Sequence, residues 1–238
     1  MKKKRITAAL LALGLSAVTI CSQLPVFAAE ETAQATDTAT QPQTADPSVV
    51  TTNGIDGWPQ ASDISSTAAI VMETSTNTVL YSKNADQALY PASAVKVMTC
   101  LVALENSSLD DQVTMTATGV SGVTDGGANI SSQLDEVFTM EQCLYAIMVA
   151  SANDIALQVA EHVGGSVDAF VQTMNARAQE LGCTNTVFTN PTGLPDENQH
   201  TTAHDMALIM EAAMANETFR TIAATTSYTL PATNVSGG

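Results

Sequence analysis

An α+β fold is predicted by three features of the chain. They are one hairpin pattern near residue 70, five segments of helical period between residues 91 and 215, and a long Gly-, Ser- and Thr-rich loop after the first helix. The hairpin comes first. Ala68-Ala69-Ile70-Val71-Met72 and Thr78-Val79-Leu80-Tyr81 are short apolar and β-branched runs, and Thr74-Ser75-Thr76-Asn77 between them has turn chemistry. A lone hairpin is barely stable in water, so the predicted architecture is a helical cluster packed on an antiparallel sheet that is incomplete in this chain.

The helices follow in order. Pro91-Ala92-Ser93 opens a run to Glu105 whose apolar residues Val95, Met98, Leu101, Val102 and Leu104 recur at helical spacing. A loop is predicted from Thr118 to Ser132. Helical patterns resume at Thr139–Ala150, Asp154–His162, Ser166–Leu181 and Thr202–Ala215, the last with Thr202 and Asp205 at capping-box spacing. Met174, Met206, Met210 and Met214 fall at core-like spacings, and Cys100, Cys143 and Cys183 sit in apolar patterns that suit buried free thiols.

The N-terminal region reads differently. Lys2, Lys3, Lys4 and Arg5 precede an apolar stretch from Ile6 to Ile20 and the small-residue site Val26-Phe27-Ala28, the build of a secretory signal peptide over residues 1–28. Cys21 ends the apolar stretch, but the preceding Ile20 does not suit lipid attachment. Residues 29–60 are rich in Thr, Ala, Gln and Pro and poor in large apolar side chains, so a disordered linker is expected, with Trp58 near its end free to dock on the domain. Residues 61–238 suit one domain.

Charge excludes several functions. The 238 residues carry 8 Lys+Arg against 24 Asp+Glu, a formal net charge of −16. Half of the basic residues lie in the N-terminal run. The remaining Lys83, Lys96, Arg177 and Arg220 are scattered and make neither a nucleic-acid stripe nor a polybasic membrane patch. The acids Asp110, Asp111, Asp125, Asp135 and Glu136 are expected on a solvated face.

The candidate chemistry starts from the scarce lysines. Lys96 lies three residues after Ser93 on the first helix, so the two share a face. Apolar neighbours Val95, Val97 and Met98 disfavour the ammonium form, and a neutral amine beside a hydroxyl is a general base beside a nucleophile. Alone, S-x-x-K is a weak signal. Ser151-Ala152-Asn153 falls at a helix–helix junction, where a hydroxyl and an amide two residues apart can face one cleft; the plainer reading is that one of them caps the next helix. Together the two elements are the first two motifs of penicillin-recognising serine enzymes.

On those residues the chain resembles the serine-type D-alanyl-D-alanine carboxypeptidases, the low-molecular-mass penicillin-binding proteins, from about Thr67 to Thr229. Pro91–Thr99 looks like the family's nucleophile helix, and Ser151-Ala152-Asn153-Asp154 looks like its S-G-N-D turn with Ala152 in place of glycine. Leu181–Leu194, with Asn190-Pro191-Thr192-Gly193-Leu194, and His200–Ala207 are similar to its downstream signature. The resemblance implies a β-lactamase/transpeptidase-like fold, Ser93 as nucleophile and acyl-ester site, Lys96 as general base, Ser151 as proton relay and Asn153 as substrate-binding residue. It implies peptidoglycan stem peptides and β-lactam antibiotics as partners, and neither cofactor nor metal. It also implies an exported protein, with membrane association only through a C-terminal segment outside this sequence.

The family's third motif is the point of departure. No K-T-G, K-S-G or H-T-G occurs in the sequence. A C-terminally truncated chain of low activity is therefore expected. His200 and His204 are four apart, but Thr201 stands where H-E-x-x-H needs glutamate. Gly119-Val120-Ser121-Gly122 lacks nucleophile-elbow spacing. Two alternatives stand beside the carboxypeptidase: a β-lactamase, disfavoured because no E-x-x-L-N segment is present, and a catalytically incompetent cell-wall-binding fragment of the same fold.

Overall fold

The structure, a computed structural model, describes residues 50–52, 64–123 and 127–237. The signal-peptide residues, Cys21, Trp58, Asp125 and most of the linker lie outside them. Within the linker stretch, however, Val50–Thr52 forms a strand, β1. It pairs antiparallel with β3 (Thr78–Lys83), which pairs on its other side with β2 (Ala69–Glu73), in the order β1-β3-β2. The predicted hairpin is therefore present, with an irregularity between Val71 and Met72. The linker expectation is corrected at these positions: Val50-Thr51-Thr52 is β-branched throughout and lies along an edge of β3.

Helix α1 (Val95–Asn106) is the hub of the helical cluster. Every residue from Val95 to Ala103 is buried, and the helix touches α3 (Met140–Ala150), α4 (Asn153–Gly164), α5 (Val167–Glu180), α6 (Ala203–Ala215) and α7 (Glu217–Ala223). A helix apolar all round belongs in an interior. Its N-terminus is consequently held by packing on several sides.

The junction between α3 and α4 is equally fixed. Thr139 opens α3 with a reciprocal capping box to Gln142, and Ser151 ends it in the left-handed region at φ +55°. One residue later α4 begins. Buried Asp154, in its first turn, accepts from the backbone of Ile130 and from both the N–H and hydroxyl of Ser132, which pins the incoming loop.

Four short elements went unread in the sequence. Strands β4 (Gln112–Thr114) and β5 (Val137–Thr139) pair antiparallel, the five-residue helix α2 (Ala117–Ser121) occupies the start of the predicted loop, and α7 follows α6. Further corrections concern side chains. Glu136 is buried, not part of a solvated face, because its carboxylate accepts from Thr233 Oγ1, Ser236 Oγ and the Gln133 N–H. Those bonds outweigh burial, which would raise its pKa, and hold it below the usual carboxylate range. Met174 is buried and Met206 packs on the core, but Met210 and Met214 are exposed on the outer face of α6. Thr202 caps α6 by accepting from the Asp205 N–H, while the Asp205 carboxylate turns away to Asn185 and Thr186 and does not close the predicted box. Cys100, Cys143 and Cys183 are buried and free.

Candidate active site

The S-x-x-K segment begins under backbone constraint. Among the described residues, six other than glycine have positive φ; Asn77, Asn84 and Asp135 are types that tolerate it in turns, which leaves Ala92, Ser131 and Ser151. Ala92 (φ +47°) immediately precedes Ser93, and Ser151 ends α3. Such conformations cost about 1–3 kcal/mol each and persist where surrounding structure dictates them. Both lie at the same place in space.

That place is Ser93. Its exposed Oγ lies 3.2 Å from Lys96 Nζ and 3.0 Å from Ser151 Oγ. Lys96 is only 3% exposed and also donates to the Thr192 carbonyl at 2.5 Å. Burial lowers its pKa to about 8, with the neighbouring Cys100 opposing slightly. One turn supplies a hydroxyl and a buried amine, and the α3–α4 junction supplies the second hydroxyl.

Asn153 stands two residues beyond Ser151, in the first turn of α4. It is 5% exposed, its N–H donates to Ala128 O at 2.8 Å, and its side-chain Oδ1 has no partner among the described residues. An orphaned buried acceptor costs about 1–3 kcal/mol, which a ligand N–H would recover. Neither Ser151 nor Asn153 is the helix cap of the plainer reading: Ala152 is the N-cap of α4, and it makes no side-chain cap bond. Ala152 is fully buried at φ −63°, a conformation open to any L-residue, so its methyl group fits the turn without strain. Gly127 faces Asn153 so closely that a Cβ there would sit 2.5 Å from its Nδ2.

Several supporting residues escaped the sequence. Thr192 reaches Lys96 through its carbonyl, which any residue type has, and Thr99 Oγ1 donates to Pro191 O at 2.7 Å. The signal for this contact was the glycine in Asn190-Pro191-Thr192-Gly193-Leu194, whose tight approach to the Ala92–Ser93 peptide before α1 a single sequence does not disclose. The paired histidines are engaged separately: His204 with Asp86, and His200 with the Asn198 carbonyl. Among the described residues no group of three His, Cys, Asp or Glu is placed to hold a metal.

A hydroxyl on a strained turn, bracketed by a buried lysine amine and a second hydroxyl in an α+β domain, defines the serine–lysine class of acyl-transfer sites. The comparisons narrow the class. The D-alanyl-D-alanine carboxypeptidase family matches residues 56–235, and the chain belongs to it. It is 37% identical over 155 residues to the D-alanyl-D-alanine carboxypeptidase DacF of Bacillus subtilis, covering 63% of this chain and 39% of that one. It is 36% identical over 170 residues to the carboxypeptidase DacB2 of Mycobacterium tuberculosis, covering 69% of this chain and 56% of the other. The crystal structure of a D-alanyl-D-alanine carboxypeptidase from Mycobacterium tuberculosis superposes with a TM-score of 0.66 at 32% identity, covering 71% of this chain and 64% of that one. For that of DacD from Francisella tularensis the values are 0.63, 31%, 75% and 45%. The penicillin-binding, α+β fold expected from the sequence is thus the fold found, and the chain spans about half the length of these relatives.

Proposed function

We propose that the chain carries the acylating site of a serine D-alanyl-D-alanine carboxypeptidase acting on peptidoglycan stem peptides outside the cytoplasm. The single observation that carries this reading is the contact of Ser93 Oγ with both Lys96 Nζ and Ser151 Oγ; the buried, unpartnered Oδ1 of Asn153, two residues beyond Ser151, supports it. Ser93 Oγ attacks the carbonyl carbon between the two terminal D-alanines, and its proton passes to the neutral Lys96 amine. Ser151 carries a proton to the departing amine of D-alanine as the peptide bond breaks. Water then hydrolyses the Ser93 ester. Asn153 Oδ1 accepts an amide N–H of the bound peptide. A β-lactam, whose amide is strained, acylates the same hydroxyl. The N-terminal charged and apolar segment supports export, and among the described residues no helix is long and apolar enough to cross a membrane.

Release of D-alanine from an acyl-D-alanyl-D-alanine peptide tests the proposal. Slow release that disappears in Ser93→Ala is the expected result. Release that survives the substitution contradicts it, and retention on peptidoglycan with no release supports the binding-fragment alternative. Fast nitrocefin turnover would favour the β-lactamase.

A further inference from the structure

We propose that Asn190 is the positioning residue of the Ser93–Lys96 pair: its side-chain oxygen folds the 190–193 turn that presents the Thr192 carbonyl to Lys96 and seats Gly193 against the Ala92–Ser93 peptide. The inference deepens the proposed function and rests on its reading of Lys96 as the base.

Three donors converge on Asn190 Oδ1: the Thr192 N–H at 3.1 Å, the Thr192 hydroxyl at 2.8 Å and the Gly193 N–H at 2.8 Å. This is an Asx-type turn, in which a side-chain oxygen stands in for a backbone carbonyl and dictates the path of the next residues. The amide nitrogen of Asn190 closes the far side by donating to Leu194 O at 3.0 Å. Two results of that path bear on the site. Thr192 O points at Lys96 Nζ, and Gly193, at φ +83°, approaches the turn before α1 so closely that a Cβ would lie 1.9 Å from Ala92 O and 2.9 Å from Ser93 N. The turn therefore bears on both the residue preceding the nucleophile and the base.

The surroundings hold the turn as a unit but do not shape it. Buried Gln199 accepts from the N–H groups of Thr189 and Asn190 and donates to Leu194 O, while Thr99 Oγ1 holds Pro191 O. Asn190 Oδ1 is the acceptor on which three of the turn's own donors converge. Without Oδ1, the Thr192 and Gly193 N–H groups lose their acceptor and must find water, the turn opens, and Thr192, now 2% exposed, no longer covers Lys96. Water admitted to the amine restores the solvation that burial removed.

The test is direct titration of Lys96 by NMR. The chain has five lysines, so ε-13C-lysine labelling gives a sparse spectrum, and the Lys96 signal is assigned by its loss in Lys96→Met. In wild type the midpoint is expected near 8. In Asn190→Ala it is expected to rise by about one unit toward the ordinary ammonium value. Asn190→Ser, with a shorter and weaker acceptor, is expected to fall between wild type and Asn190→Ala. Thermal unfolding of each variant separates positioning from bulk stability, since a merely structural residue would lower the melting temperature without moving the midpoint. An unmoved Lys96 midpoint in a folded Asn190→Ala or Asn190→Ser protein overturns the proposal. Titration needs no turnover, so a failure to release D-alanine would sink the proposed function and leave this result readable by itself.

Discussion

Lys96 has the largest chemical leverage of any single side chain here. Burial favours its neutral form and lowers the pKa to about 8, so the base form accumulates as pH rises through that value. At pH 7 roughly a tenth is neutral, on a one-unit displacement from the midpoint. Acylation by a β-lactam is therefore expected to accelerate with pH and level off above about 8, measured by stopped-flow or quenched labelling. Lys96→Arg, which stays charged and cannot accept a proton, should lower the rate by about 10²-fold or more and flatten the profile. Ala152 gives a second residue-scale expectation. Its methyl is fully buried, and Ala152→Gly removes about 0.8 kcal/mol of burial while adding backbone entropy to the unfolded chain. Glycine is the better N-cap and offsets part of this, so a net loss of about 1 kcal/mol or less should appear as a slightly lower denaturation midpoint; an unchanged midpoint would mean that the cap preference cancels the lost burial. At this scale the sequence was informative where side chains do the work. Ser93, Lys96, Ser151 and Asn153 were picked out by motif and resemblance, and the structure brings the first three together, with Asn153 in the first turn of the helix that follows Ser151. Thr192 was not, because it acts through its backbone carbonyl, and Glu136 was misread because its burial depends on Thr233 and Ser236, about a hundred residues away.

Among the elements, the long helices were legible and the short ones were not. The periodicity of α1, α3, α4, α5 and α6 covers three or more turns, and their observed bounds differ from the expected ones by a residue or two, except that α1 begins four residues after Pro91, behind a 3-10 turn over Ala92–Ala94. Strands β1, β4 and β5 have three residues each, too few to show alternation, and α7 has seven. Such pieces are specified by what they pack against. The turn before Gly193 belongs to the same category, and it carries the element-scale prediction. Gly193→Ala places a methyl group 1.9 Å from Ala92 O at a positive φ, so either the turn or the S-x-x-K segment must shift. The backbone strain alone is about 1–3 kcal/mol. Acylation of the variant is expected to slow by at least tenfold, assayed with labelled penicillin beside a thermal melt. Wild-type acylation would show that the turn moves without disturbing the nucleophile.

Across the whole molecule, acidity and the engagement of its few cations set what it can meet. All four basic side chains beyond the N-terminal run are occupied: Lys83 at Ile64 O, Lys96 in the site, Arg177 at Glu105 and Glu180, and Arg220 at the carbonyls of Met214 and Ala215. Polyanion binding is disfavoured by this distribution as well as by the net charge of −16. The packed helical cluster around α1 instead presents at its surface the Ser93 hydroxyl, which follows the positive-φ residue Ala92. The most direct test of that account is to expose the chain to a labelled penicillin and map the adduct by peptide mass spectrometry. A slow, covalent adduct confined to Ser93 and lost in Ser93→Ala is expected. An adduct on another residue, or none after prolonged exposure of folded protein, would contradict it.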